Sequence, residues 1–474
     1  MQHRYLCLIL AMVCFEFIAT PSSARALALV RGPYLQQATQ TSIVVRWRTD
    51  LPAESTLRYG PTEGDLSTTI TTPGSVTEHE IEVQGLQPAT RYYYSIGTTS
   101  LALAGADAEH FFATTRPANT TESTRIWVIG DSGGNSPISA EVKNEYLNFA
   151  AGDLADVWLM LGDNAYLTGT DAQFTLNLFE NYPQILRNTT LWPSPGNHDL
   201  NGIVEGEEPS SDPVTEIGPY YDAFTLPTQG ESGGLPSGTE TYYSFDYANI
   251  HFVSLNIYHI DFNVGSTVHS WLVADLAANQ SEWTIVYLHF PPYSRGGRDS
   301  DVDFWMVKVR TLYNPVFEEG GVDLVLTGHS HTYERSMLID GHYDVANTLT
   351  TANIMHGGNG DPDDQGPYLK VAQGNEPRRG TVYVVNGVGS SAHANGGALD
   401  HPVMVTAFEL EGSMVIDIDG DTLDAYFISR YGDILDRFQI VKVVALPAGE
   451  LGAWVVLALL LMGSAWGAVQ KRAV

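Results

Sequence analysis

Cysteine is nearly missing from this chain. Only Cys7 and Cys14 occur, both inside the first hydrophobic stretch, so the mature protein has neither disulfides nor a thiolate metal site. A lipoprotein signal is disfavoured too, because bulky Val13 stands where a small residue would precede Cys14. Basic residues are scarce: 24 Lys and Arg face 55 Asp and Glu, a formal net charge of −31. Such a field repels nucleic acid and anionic lipid, which excludes both as partners recognised by charge. It would repel any small anion as well, unless bound cations reverse the sign locally. Low-complexity runs and repeats of solenoid period are also lacking. With hydrophobic residues at 43% and aromatics at 11%, long disorder is excluded, and 474 residues imply two folded domains plus appendages.

The ends read as addresses. Arg4 precedes an apolar run over residues 5–18, and small residues at 22–26 offer cleavage positions, so residues 1–26 are expected to be a secretory signal peptide. Residues 450–469 are almost entirely apolar and precede Lys471 and Arg472. At ~1.5 Å per residue such a helix just crosses a hydrocarbon core of roughly 30 Å, with its basic end cytoplasmic. With Pro447 ahead of it, the segment also resembles a bacterial sorting tail that is later cleaved. The expectation is an exported protein at the cell surface, anchored at its C-terminus or released after processing.

Between the ends the pattern changes once. Residues 30–116 alternate in short strands, one of them 42–48 with Ile43, Val45 and Trp47 on one face, and others at 55–59, 79–83 and 92–96. The inward Trp47, and a tyrosine just after the Leu86-Gln87-Pro88-Ala89-Thr90 corner, resemble a fibronectin type III sandwich. A spacer and a ligand-binding module are both open readings for it. Residues 116–121 read as a linker. Over 124–440, continuous apolar strands (126–129, 157–161, 284–288, 322–327) alternate with helices (138–151, 270–278), a layered α/β arrangement with functional loops at strand ends. The expected fold is therefore mixed: an all-β sandwich, then an α/β layered domain, then a C-terminal membrane helix.

Five segments stand mostly where apolar strands stop: Gly130-Asp131-Ser132-Gly133, Gly162-Asp163-Asn164-Ala165-Tyr166, Gly196-Asn197-His198-Asp199, His289, and Gly328-His329-Ser330-His331-Thr332-Tyr333-Glu334-Arg335. Each alone is an ordinary turn or a lone histidine. Together they supply carboxylate, amide, phenol and imidazole donors suited to iron, zinc or manganese. Glycine lets the backbone turn off the strand, and His329 and His331, two apart, point the same way from an extended segment.

In that order the segments resemble the calcineurin-like metallophosphoesterases and, among them, the purple acid phosphatases, because the first block lacks a histidine while the second gains Tyr166. The resemblance implies one metal held by Asp131, Asp163, Tyr166 and His331. A second would be held by Asp163, Asn197, His289 and His329, with Asp163 shared. It implies Fe(III) at the Tyr166 site, with divalent Fe, Zn or Mn beside it. Phosphate monoesters would be cleaved by attack of a metal-bound hydroxide, with His198 binding substrate or protonating the leaving group and Asp199 orienting it from behind. Histidines usual after the fourth block are missing here. Arg298 stands about where one is expected, with Arg295 nearby, and is assigned to phosphoryl binding; a mobile surface loop is the plainer alternative. The loop around His356, Asp361, Asp363 and Asp364 fits no calcium spacing and reads as solvated. A phosphodiesterase or nucleotidase on the same site, a non-catalytic surface-binding protein, and a structural cell-surface protein holding cations loosely remain open. The expected partner is a small phosphorylated substrate.

Overall fold

Val157–Leu161 reads Val-Trp-Leu-Met-Leu and is buried throughout, the signature of a parallel strand covered on both faces. It lies between Thr124–Ile129 and Thr190–Ser194, both paired with it in parallel. The computed structural model describes residues 25–118, 120, 122–200, 211–373 and 380–444. The apolar segment 450–469 and nearly all of the leader lie outside these. Among the described residues no helix is long and apolar enough to cross a membrane.

Two sheets face each other. In the second, Trp283–Leu288, Leu324–Thr327 and Val382–Asn386 run parallel, flanked by Ile250–Leu255 on one side and by Tyr333–Ser336 on the other. The inner faces pack through aromatic rings; Trp192 and Phe245 stack at 3.8 Å. Helix Pro137–Ala150 starts in a capping box between Ser136 and Ser139, with Pro137 in its first turn, and ends at Ala151 in left-handed backbone. Helix Thr267–Ala278 buries Val268, Leu272 and Leu276 against the second sheet.

The N-terminal sandwich has Trp47 in its core, stacked 4.8 Å from the His79 ring. The strands expected at 42–48 and 55–59 are one strand, Ser42–Gly60, whose pairing with Thr68–Gln84 slips around Ala53. Pro52, lacking an N–H, sits where the ladder is interrupted.

The two domains are less separate than the linker suggests. Leu35 pairs in parallel with Thr190, so the first sheet continues from the α/β part into the sandwich. Buried Arg31 and neighbouring Arg48 converge on Asp171: Arg31 Nη2 lies 2.7 Å from Oδ1, and Arg48 Nη1 donates to Oδ2 at 2.6 Å. Asp171→Ala leaves a buried guanidinium without its carboxylate and is expected to weaken this junction by about 1–3 kcal/mol. Hydrogen exchange should then accelerate in Leu29–Gln36 but not in the remote strand Gly412–Asp419; equal protection in mutant and parent would refute a clamping role.

Candidate metal centre

Strand ends aim the five blocks into one place, and the backbone there is held in unusual conformations. Asp131, Asp163 and His329 all have positive φ, at 52°, 53° and 64°. For non-glycine residues this is sparsely populated and persists only where the surroundings impose it. Glycine is required for close approach more than for turning. A Cβ at Gly196 would lie 2.2 Å from Asp163 Oδ1, and one at Gly328 would lie 2.3 Å from Asp131 Oδ2.

The side chains converge in two overlapping sets. The Tyr166 hydroxyl is 3.0 Å from Asp131 Oδ1, 3.3 Å from Asp163 Oδ2 and 3.1 Å from His331 Nε2. Asn197 Oδ1 lies 3.0 Å from His289 Nε2 and 3.1 Å from His329 Nδ1, while His289 Nε2 is 3.3 Å from Asp163 Oδ2. Asp163 therefore belongs to both sets. Asp131, Asp163 and His289 have ligand atoms within 4.8 Å of one another and are all buried.

This arrangement fits cations on its donor chemistry. His289 Nδ1 donates to the Leu161 carbonyl at 2.9 Å, which points Nε2 at the oxygens of Asn197 and Asp163. His331 Nδ1 is likewise engaged, 2.9 Å from Ser391 Oγ, with Nε2 facing Asp131. Carboxylate, amide and phenol oxygens gathered in a dry site call for positive charge among them, from a proton or a cation. The carboxylate charges draw protons here. Burial pushes the Tyr166 phenol well above its ordinary value, and the Asp131 and Asp163 charges push the same way. Burial also opposes the Asp163 charge, but His289 and then His198 outweigh it and hold the carboxyl well below the usual range. His289 is driven up to about 9, the Asp163 charge overriding its desolvation.

Residues 124–333 match the family described as calcineurin-like phosphoesterase, and residues 32–114 match the purple acid phosphatase N-terminal domain. The chain thus carries a calcineurin-like phosphoesterase domain behind a purple acid phosphatase N-terminal domain, and its relatives are purple acid phosphatases. It is 27% identical over 276 residues to purple acid phosphatase 23 of Arabidopsis thaliana, covering 54% of this chain and 57% of that one. To acid phosphatase type 7 of Danio rerio it is 24% identical over 445 residues, 85% of this chain and 89% of that one. The chain spans about half the length of the plant relatives it matches. Its fold is that of purple acid phosphatase PPD1 from yellow lupin (Lupinus luteus) seeds, with TM-score 0.67 at 19% identity over 87% of this chain and 75% of that one. The family implies a dinuclear metal centre.

A cavity of about 500 Å³ opens onto this centre, lined by Tyr166, Leu167, His198, Arg298, His331 and His393 among others. His198 Nδ1 donates to the Leu167 carbonyl at 2.6 Å, and its Nε2 is 3.9 Å from Asp163 Oδ2. Asp199 is fully buried and accepts from the backbone N–H groups of Asn164, Ala165 and Gly196, so these bonds tie two ligand loops together. Burial, then Asp163, pushes its carboxyl up to about 7. Of the two arginines, Arg295 is committed to Asp301 at 3.2 Å and Asp400 at 3.6 Å. Exposed Arg298 has no ion pair among the described residues and faces the cavity.

Two neighbours of the centre have no sequence pattern to announce them. Asp303 Oδ2 stands 3.9 Å from His329 Nε2, yet Asp303 reads only as a helix cap, accepting from Trp305 and Met306 N–H. Ser391, beside His331, sits in a small-residue loop. The His356 segment is more ordered than a solvated loop: Ile354–His356 pairs with Leu338–Ile339, and Arg437 binds Asp363 at 2.8 Å. A separate cavity of about 620 Å³ lies at His251. That ring is held between Asp246 at 2.7 Å and Asp275 at 2.8 Å, which overcome its burial and raise it to about 9. It shares no residue with the metal centre.

Proposed function

We propose that the chain is an exported dinuclear-metal phosphatase that hydrolyses phosphate monoesters. The observation that carries this reading is the meeting of Tyr166, Asp131 and His331 on one side of Asp163 and of Asn197, His289 and His329 on the other. Fe(III) is assigned to the Tyr166 side, whose hard phenol and carboxylate oxygens suit it, and divalent Fe, Zn or Mn to the histidine-rich side. Bound there, two cations would neutralise the phosphoryl oxygens and lower the pKa of a water into the working range, which provides the nucleophile.

The protein's own groups do the rest. Arg298 offers a free guanidinium fork to the phosphoryl oxygens. His198 keeps Nδ1–H on the Leu167 carbonyl, so only Nε2 is left to meet the leaving group; protonated, it donates there. Asp199 acts on this chemistry indirectly, by fixing the loops that carry Asp163 and Asn197. Export and a C-terminal membrane tether complete the reading and rest on the terminal segments of the sequence.

A second reading, phosphodiester or nucleotide cleavage at the same site, draws on the cavity's volume of about 500 Å³, which leaves room beyond a phosphoryl group. Initial rates of the full chain on an aryl phosphate monoester and on the matching diester separate the two. Monoester cleavage is expected to be the faster. Preference for the diester selects the second reading, and no hydrolysis by folded protein carrying two metals would leave a binding protein.

A further inference from the structure

The stretch after His289 carries no further histidine, but the fold brings one to the same cavity from elsewhere. Beyond strand Val382–Asn386 the chain passes Ser390 and Ser391 to His393, and these line the cavity together with Arg298. The placement of His393 is fixed by the main chain. Its N–H donates to the His331 carbonyl at 2.8 Å, and its ring lies 4.4 Å from the His331 ring. The loop carrying Arg298 packs directly on it: a Cβ at Gly297 would come within 2.9 Å of the His393 carbonyl oxygen.

The hydrogen-bond inventory then decides which nitrogen is free to act. His393 Nδ1 is buried and has no partner among the described residues. A proton there would be a buried, unsatisfied donor, whereas a bare lone pair is the lesser cost, so the proton belongs on Nε2. The neighbouring His331 does not use it, because one of its nitrogens is engaged with Ser391 and the other faces Asp131 and Tyr166. An imidazole N–H is thus left at the cavity wall beside an unpaired guanidinium, with nothing in the described protein receiving it.

We propose that His393 is a substrate-binding residue whose Nε2–H donates to a phosphoryl oxygen beside the Arg298 fork. This rests on the phosphatase reading of the site. The role is a neutral, directional hydrogen bond, and it leaves His198 to the leaving group.

The test uses the full metal-loaded chain, with inorganic phosphate as probe. Phosphate Kd by calorimetry, KM and kcat on an aryl monoester, metal content and thermal midpoint are compared for the parent, His393→Ala and His393→Gln. Loss of one hydrogen bond to a charged oxygen predicts about a 10-fold rise in phosphate Kd and in KM for His393→Ala. The change in kcat should be smaller, and His393→Gln, which keeps a side-chain N–H, should recover most of the loss. Unchanged phosphate Kd in a folded, metal-replete His393→Ala overturns the proposal. So does loss of metal in that variant, which would make the ring a support for His331. A parent that binds phosphate but hydrolyses no monoester defeats the phosphatase reading alone, since the calorimetric comparison still reads His393 directly.

Discussion

Asp163→Asn is expected to abolish hydrolysis, on the order of 10³-fold or more in kcat, the scale lost when a preorganised charged group is removed from a reacting site. Asp163 is the only carboxylate common to both ligand sets: its Oδ2 lies 3.3 Å from the Tyr166 hydroxyl and 3.3 Å from His289 Nε2. Its Oδ1 accepts the His198 backbone N–H at 2.8 Å, and an asparagine oxygen can keep that bond. The loop should therefore hold its shape while the charge disappears and an NH₂ group enters a cluster of lone pairs. The expected result is a folded protein with an unchanged thermal transition before metal is added, reduced metal content by atomic absorption, and no turnover. Chelation of the parent should give the same loss, reversed on adding metal back. A variant that retains two metals and the parental rate would show that the centre lies elsewhere.

The five blocks that meet at the candidate centre are legible in the sequence because each is local. An apolar strand, a glycine and a polar side chain occupy adjacent positions, and the pattern repeats at Asp131, Asp163 and Asn197. Tyr166 was legible for the same reason, standing three residues after Asp163. What escaped is long-range. His393 follows Ser391 in a loop of small residues whose only sign of function is the place to which strand Val382–Asn386 delivers it. Arg295 and Arg298 look alike in sequence, and only the positions of Asp301 and Asp400 show which is already paired. Asp303 combines helix capping with proximity to His329, and one role hides the other. Two domains could be read from the change in strand pattern at the linker. That one sheet runs through both depends on the meeting of Leu35 with Thr190, which no local periodicity encodes.

Asp323→Asn should cost about 3–5 kcal/mol of stability, the range for breaking a buried ion pair by removing one partner. Asp323 is fully buried just ahead of strand Leu324–Thr327, with Lys370 Nζ 2.8 Å from Oδ1 and Lys442 Nζ 2.9 Å from Oδ2. The lysines are register partners on adjacent parallel strands of the first sheet, whereas Asp323 leads into the second, so the triad bolts the two sheets together. Burial opposes the Asp323 charge, but Lys370 and then Lys442 outweigh it and hold its carboxyl below the ordinary range. Its folded pKa is depressed, so the stability it contributes is fully present above an unfolded value of about 3.9 and is lost as pH falls through the folded value. In the variant this part of the acid dependence should vanish. Asp417→Asn makes the contrast, since the Arg125–Asp417 pair is about a quarter exposed on each side and its loss should cost under about 1 kcal/mol. Urea unfolding of both variants at neutral pH checks the pair of values; an Asp323→Asn midpoint equal to that of Asp417→Asn would remove the bolt from this account. Asp323 and the His329–His331 pair stand at opposite ends of Leu324–Thr327, so folded molecules of the variant should keep the parental kcat, separating what holds the sheets together from what the metal centre does.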